Sequence, residues 1–336
     1  MGRPPGPASR RGTPGERDRR ERDSQDSATA GRDYDRAVAS AAPSEQTEAH
    51  AGPPLAGVPS GVLVVGAIAS VQFGAAIAAT LFDRVGPAGT VLLRLAFGSA
   101  VLLGVWRPRL RGLTRGELAL AAVFGLVLGA MNVSFYAALD RIPLGIAVSL
   151  EFVGPLTVAL LGSRRGLDLL WVALAAVGIL ALTRGDTGAL DGLGVALALL
   201  AGVFWGVYIL LNARLGRVFP GGSGLALAMC VGTLAAAPLG IAEGGSHLLD
   251  AESLLAGAAV GLLSSAIPYS FEVEALRRIA TAVFGVLMSL EPGFAALAGL
   301  LVLGQHLSAR VLAGIALVIV ASVGASLGAR RAAVAL

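Results

Sequence analysis

The chain of 336 residues contains no lysine, one cysteine and few charged residues of either sign. Charged side chains make up 14% of it and hydrophobic ones 55%, with a mean hydropathy of +0.75. This balance lies outside the range of soluble domains and indicates a membrane protein. The one cysteine, Cys230, excludes an intramolecular disulfide and is expected to have a small packing role.

Motifs that would indicate catalysis are also missing. The sequence has no HExxH pair, no cysteines or histidines spaced for a metal, and no GxGD-type aspartate within an apolar run. Ser223 has no histidine placed to activate it. The sequence therefore predicts a protein that is not an enzyme and that binds no cofactor or metal.

Apolar runs of roughly 20 residues, the length that crosses a bilayer, recur from Gly61 onward. They are continuously apolar, which favours helices over barrel strands, since barrel strands alternate apolar and polar residues. The predicted spans are 61–82, 87–106, 117–138, 142–162, 167–183, 190–211, 223–242, 254–273, 281–303 and 311–328.

Arginine predicts the orientation, because arginine is concentrated in cytoplasmic joints. Alternate joints contain 12 and 4 arginines, and the poorer set is Arg84, Arg141, Arg184 and Arg310. Both termini are therefore expected in the cytoplasm. The same bias explains the basic pI of about 9.9, so no nucleic-acid partner is inferred.

The first 58 residues differ from the rest, since nine arginines and nine acidic residues cancel in a segment rich in Pro, Gly, Ser and Ala. Such a composition predicts a disordered cytoplasmic tail over residues 1–58. A solvated tail, a misplaced start codon and a partner-binding arm all remain open. No apolar core follows the basic start, so a signal peptide is not expected.

The two halves of the apolar region repeat weakly. Three pairs of stretches match, namely QFG (72–74) with FWG (204–206), LDRI (139–142) with LRRI (276–279), and Glu151 with Glu291. Five spans per unit force the second unit to be inverted in the membrane. The predicted fold class is an all-α membrane protein with ten transmembrane helices in two inverted five-helix repeats, at 59–185 and 186–330, followed by a short cytoplasmic C-terminus at 331–336.

Glu151 and Glu291 each follow Ser-Leu in the middle of an apolar run, in SLEFVGP (149–155) and SLEPGF (289–294). A carboxylate at bilayer depth costs about 2.5–3.5 kcal/mol, which predicts a use for it. Burial disfavours the charged form, so either acid could exchange a proton or bind a substrate ammonium group. The alternative is that each only hydrogen-bonds a broken helix. Pro155 and Pro292 predict such breaks, which would either free backbone carbonyls for a ligand or serve packing.

Arg94 is the basic residue that lies well inside a predicted span. It could bind a substrate carboxylate, pair with Glu151, or extend to the outer interface. Gln72 and Asn132 are expected to face the bundle interior, where they either line a cavity or bridge helices. The aromatic residues at similar depth would cover a substrate cation or pack in the core; they are Trp205, Tyr208 and Tyr269.

Three stretches resemble the threonine/homoserine exporter branch of the EamA group, within the drug/metabolite transporter superfamily. They are LDRIPLGIAVSLEFVGPLTVALLGSRR (139–165), IPYSFEVEALRR (267–278) and FGVLMSLEPGFAALAGLLVLG (284–304). The resemblance covers nearly all of residues 61–328. It implies a multi-pass exporter of small amino acids in the bacterial plasma membrane, driven by proton antiport. Glu272 follows the family pattern after Pro268-Tyr269, whereas Gln305 stands where similar proteins have glutamate.

The implied partners are a small zwitterionic substrate, protons and the lipid bilayer, while the choice between monomer and homodimer stays open. An exporter of another drug or metabolite class is an alternative. So is a cation-selective channel, because two acids at the midplane could select cations.

Overall fold

A computed structural model of the chain describes residues 58–108, 112–161, 168–183, 190–276, 278–279 and 281–334. All regular secondary structure in these ranges is helical, as predicted. The segment predicted to be a disordered tail lies outside the described residues, except for Val58.

The helices are named in chain order: α1 (Ser60–Ala79), α2 (Phe82–Trp106), α3 (Arg115–Leu139), α4 (Leu144–Glu151), α5 (Val153–Leu161), α6 (Asp168–Thr183), α7 (Gly192–Val218), α8 (Ser223–Gly244), α9 (Ala251–Gly261), α10 (Ile267–Leu276), α11 (Thr281–Met288), α12 (Glu291–Leu303) and α13 (Ala309–Val334). A 3₁₀ turn, Gly245–Leu249, follows α8, and a π-helical turn, Leu262–Ala266, joins α9 to α10.

Seven helical segments within the described ranges are long and apolar enough to cross a membrane: Ser60–Ala79, Phe82–Trp106, Arg115–Leu139, Gly192–Val218, Ser223–Leu249, Val283–Leu303 and Ala309–Leu327. Shorter apolar segments are Leu144–Val158, Leu170–Leu182 and Ala251–Ser265. Length and composition thus establish a helical membrane protein, while ten crossings stay a prediction.

Two runs predicted as continuous helices, 142–162 and 281–303, are interrupted beside a glutamate. Phe152 separates α4 from α5, and a two-residue turn separates α11 from α12. Pro155 has no N–H to donate to the Glu151 carbonyl, which removes one helical hydrogen bond at the first break. Pro292 lies in the first turn of α12, where a missing N–H has no helical partner to lose.

The run predicted over 254–273 is also not one regular α-helix, because it passes through the π-helical turn. Pro268 has no N–H for the Ser264 carbonyl, so the regular ladder cannot continue there. The Ser70 hydroxyl of α1 donates to the Leu263 carbonyl at 2.6 Å and supplies a partner at the irregular turn. The sequence pattern predicts one continuous helix because it does not reveal this contact between α1 and the turn.

Helices from the N-terminal and C-terminal halves pack against one another throughout the bundle. The main pairs are α2 with α8, α3 with α7 and α8, α1 with α10 and α12, α2 with α9, α4 with α7 and α12, α5 with α7, and α6 with α13. The core cluster contains side chains of both halves, including the fully buried Leu144, Leu150 and Val260. The structure is therefore held by contacts between the halves as much as within them.

Close approaches between these helices depend on glycine. A Cβ added to Gly154 of α5 would lie 1.8 Å from the Gly202 carbonyl oxygen of α7, and one added to Gly178 of α6 would lie 2.9 Å from that of Gly314 in α13. Small residues let backbones of membrane helices approach in this way. The glycine-rich composition is thus used for packing at these positions.

Replacement of Gly154 by leucine is expected to destabilise the protein by about 3 kcal/mol or more, because α5 and α7 must separate. Gly104 is the matched control, since a Cβ there meets nothing within 4 Å. Thermal unfolding in detergent, followed by gel filtration, measures both variants. A Gly154→Leu protein as stable as Gly104→Leu would contradict the packing.

Ion pairs link the two halves at the end of the bundle where α1 and α3 finish. Arg84 Nε lies 3.4 Å from an Asp250 carboxylate oxygen, and Arg84 also contacts Glu252. Arg141 donates to Asp191 at 2.9 Å. That hydrogen bond, with backbone N–H groups at the start of α7, holds the pKa of Asp191 below its usual range. Exposed pairs of this kind contribute little to stability, so they can open readily.

Candidate functional site

Both embedded glutamates are buried at the helix breaks. Glu151 is the last residue of α4 and Glu291 the first of α12, and they are 8% and 6% exposed. Glu151 lies beside the α5–α7 contact, since its carbonyl oxygen is 2.7 Å from where a Cβ of Gly202 would be. Each acid therefore occupies an irregular backbone position inside the bundle, as helix-terminal ligand sites in transporters do.

Four ionisable groups from four helices are linked by electrostatic interactions around this position. The Glu291 carboxyl is close enough to Glu272 of α10 and to Glu151 for their charges to interact. Arg94 of α2 likewise interacts with Glu151. Because these residues come from both halves of the chain, folding creates the cluster and sequence neighbours do not. Three carboxyls and one guanidinium can hold both protons and a charged ligand.

Arg94 turns to a tyrosine instead of forming a direct ion pair with Glu151. Its Nη1 donates to the Tyr136 hydroxyl at 2.9 Å, and its guanidinium carbon lies 5.4 Å from the centre of that ring. Tyr136 is fully buried and contacts the rings of Phe82 and Phe135. Among the described residues no carboxylate reaches Arg94 within ion-pair distance. Its other N–H groups can therefore bind an anion.

Gln72 and Asn132 are both buried, at 3% and 4% exposed. Asn132 donates to the Leu128 carbonyl of its own helix at 2.8 Å, so it does not bridge α3 to a neighbour through this group. The Gln72 side-chain oxygen has no hydrogen-bond partner within the part of the chain that the structure describes. Of these two amides, Gln72 is therefore the one whose side-chain oxygen has no partner among the described residues.

A cavity of about 210 Å³ has Glu291 in its lining. Its lining comes from α5, α7, α11, α12, α13 and the residue between α4 and α5; it comprises Phe152, Pro155, Leu156, Trp205, Ile209, Gly285, Met288, Glu291, Ser322 and Ser326. Liquid water occupies about 30 Å³ per molecule, so the cavity has the volume of roughly seven waters. It is smaller than the 300–1,000 Å³ of pockets for drug-sized ligands.

The predicted aromatic residues separate in the structure. Trp205 lines the cavity and meets the Phe152 ring edge-on at 5.3 Å. Tyr208 stacks on Phe124 at 4.8 Å and does not line the cavity. The side chain of Tyr269 lies outside what the structure describes. Of the three predicted aromatic residues, Trp205 is therefore the one that the structure places in contact with the cavity.

Gln305, for which the family resemblance predicts a glutamate, has a structural partner. Its side-chain oxygen accepts from the backbone N–H of Leu144 at 3.0 Å. It thereby satisfies one of the free N–H groups at the start of α4, the short helix that ends at Glu151. A neutral amide performs this capping without adding a carboxylate at the start of α4.

Several residues of the site carry no signal in the sequence. Tyr136, Ser322 and Ser326 lie in ordinary apolar runs, where serine and tyrosine are common. Only the packing of α2 on α3 and of α11 on α13 gives them their positions.

Known proteins match most of this chain. The threonine/homoserine exporter RhtA of Escherichia coli K12 is 42% identical over 273 residues, which are 80% of this chain and 92% of that protein. The exporter of the same name in Salmonella typhimurium SL1344 is 42% identical over 268 residues, or 79% and 90%. The EamA-like transporter family model matches residues 192–327.

The chain belongs to the EamA-like transporter family.

Membership confirms the resemblance predicted from the three stretches. It also explains why buried acids coexist with a mostly apolar chain, since a membrane transporter requires polar groups at its site.

A crystal structure described only as that of a protein supports the fold independently. It superposes with a TM-score of 0.57 at 21% identity and covers 81% of this chain and 98% of the other. At that identity the likeness shows the shared fold alone.

Proposed function

We propose that the protein exports small amino acids of the threonine and homoserine type from the bacterial cytoplasm by proton antiport with alternating access. The observation that carries the proposal is that Glu291 lines a small cavity and interacts electrostatically with Glu151 and Glu272, in a member of a transporter family. The names of the relatives give the substrate class, which the cavity volume supports.

The proposed architecture has ten spans in two inverted repeats, with both termini in the cytoplasm. Spans four, eight and nine are then α4 with α5, α9 with α10, and α11 with α12. Helix packing supports this arrangement. Each span has a counterpart five places away in the other repeat, and replacing both members of a contacting pair by their counterparts gives another contacting pair. The contact of span three with span six becomes that of eight with one, three with seven becomes eight with two, and four with six becomes nine with one. The contacts of span two with seven, of four with nine and of five with ten are unchanged by this replacement.

The two ends of a zwitterion have complementary partners in this site. Glu291 at the cavity can take the ammonium group. Arg94, which Tyr136 holds outside the lining of the cavity, is the group proposed to take the substrate carboxylate in a bidentate pair. Phe152 and Trp205 provide an apolar wall for the aliphatic carbons. A proton on Glu291 removes its negative charge, so protonation and ammonium binding compete. This competition is what exchange of one for the other requires.

Alternating access needs contacts between the halves that open. The pairs of Arg84 with Asp250 and of Arg141 with Asp191 join the halves at one end. The cavity extends from Glu291 along the parts of α5 and α13 that lead to the opposite end. We assign this arrangement to the state open to the cytoplasm, with the exposed pairs closing the outer side.

Counterflow in liposomes tests the proposed function. The purified chain is reconstituted in vesicles loaded with unlabelled threonine, and uptake of labelled threonine is followed as the outside concentration rises. A carrier gives saturable uptake that requires internal threonine. Conductance without saturation would instead support the channel, and uptake competed only by unrelated drugs would support the alternative exporter class.

A further inference from the structure

Two hydroxyl groups on α13 line the cavity but have no part in the exchange described above. Ser322 and Ser326 share the lining with Glu291, and Ser322 is only 5% exposed. A buried hydroxyl costs free energy unless it has partners, so its bonding limits what it can offer to a ligand.

The Ser322 hydroxyl has a hydrogen-bond partner in the turn between α11 and α12. The hydroxyl oxygens of Ser289 and Ser322 are 2.8 Å apart, and either of them can be the donor. The hydroxyl oxygen of Ser289 also lies 3.1 Å from the Gly285 carbonyl oxygen, which only accepts. A hydroxyl oxygen has two lone pairs, so the Ser322 oxygen keeps at least one of them for a ligand in either arrangement.

We infer that Ser322 is a specificity-determining residue, which accepts a hydrogen bond from the side-chain hydroxyl of a transported amino acid. The inference rests on the proposed function and assigns the hydroxyl of the substrate to a residue of this chain. Glu291 only accepts when ionised, and Ser322 has a lone pair to offer, so the two residues together fit a molecule with two donors, an ammonium group and a hydroxyl. Leu156 and Met288 line the same cavity and contact the carbons between them.

The expected discrimination follows from the strength of one neutral hydrogen bond. Such a bond contributes about 1 kcal/mol, and 1.4 kcal/mol corresponds to a factor of ten. Valine has the shape of threonine with a methyl group in place of the hydroxyl. Threonine should therefore be preferred over valine by about 5- to 10-fold through Ser322.

Competition in the same liposome counterflow assay measures this preference. Labelled threonine is the substrate, and unlabelled threonine or valine is the competitor. Ser322→Ala should reduce the preference for threonine by about 5- to 10-fold through a higher KM for threonine, with the maximal rate nearly unchanged. Ser322→Thr keeps the hydroxyl and should retain the preference. Ser99→Ala is the matched control, because the Ser99 hydroxyl donates to Ala96 in its own helix at 2.9 Å and lies away from the cavity lining.

Three results would overturn the inference. One is a Ser322→Ala protein that transports threonine and keeps the full preference. Another needs no variant and is equal competition by valine and threonine with the unaltered protein. Loss of the preference in Ser99→Ala as well would show a general packing effect. Absence of any saturable threonine counterflow in the unaltered protein is distinguishable from all three, and it removes the proposed function itself.

Discussion

Replacement of Glu291 by glutamine is expected to reduce threonine transport by about 30- to 100-fold and to remove its dependence on a pH gradient. Glu291 lines the cavity and interacts with Glu151 and Glu272. A charged hydrogen bond to the ammonium group contributes about 1.5–3 kcal/mol, and 1.4 kcal/mol corresponds to a factor of ten. Glutamine keeps the shape but neither binds a proton nor carries a charge, so both binding and coupling are lost.

The measurement is threonine movement in liposomes with and without an imposed pH gradient. Glu117→Gln is the matched control, because Glu117 caps the start of α3 at the surface through the backbone of Thr114. An amide oxygen can keep that hydrogen bond, so this variant should transport normally. A Glu291→Gln protein that still responds to the gradient like the unaltered protein would show that proton coupling lies elsewhere.

Removal of the Arg94 side chain is expected to abolish measurable threonine transport. Arg94→Ala deletes the cation that interacts with Glu151 and the group proposed to bind the substrate carboxylate. Arg94→Lys keeps a positive charge but loses the planar donor pair, so we expect a rise in KM of about 10-fold. The two variants together separate the role of charge from that of geometry.

A control for Arg94 must change the same chemistry away from the cluster. Arg217→Lys does this, since Arg217 is exposed and its Nε donates to the Ala213 carbonyl of its own helix. It should leave threonine uptake unchanged. Equal KM values for Arg94→Lys and the unaltered protein would mean that the substrate carboxylate binds another residue.

The apolar runs and the embedded acids were sufficient to predict the class of protein. A carboxylate in an apolar run is costly and therefore rare, so the sequence alone identifies Glu151 and Glu291 as a pair. Proline likewise marks where a helix loses a hydrogen bond, and both breaks lie beside these acids. The family resemblance of the three stretches was confirmed by relatives that cover most of the chain.

Positions that depend on packing between halves could not be predicted in the same way. Tyr136 acquires its role because α2 places Arg94 against it, and nothing in the order of residues on α3 indicates that contact. The Ser289–Ser322 hydrogen bond joins residues 33 apart in sequence on different helices. Tyr208 shows the converse, because it shares its predicted depth with Trp205, whereas its ring stacks on Phe124 of α3 and does not line the cavity. A local sequence pattern indicates that a residue is buried, whereas the tertiary structure shows which residues it contacts.

Proton movement during threonine exchange tests the account most directly. Liposomes that contain the purified chain and an internal pH-sensitive dye are given threonine on one side, with no pH gradient at the start. The account predicts a pH change inside the vesicles as protons move against the flow of threonine, with the change lost in Glu291→Gln. Saturable threonine flux with constant internal pH would contradict it.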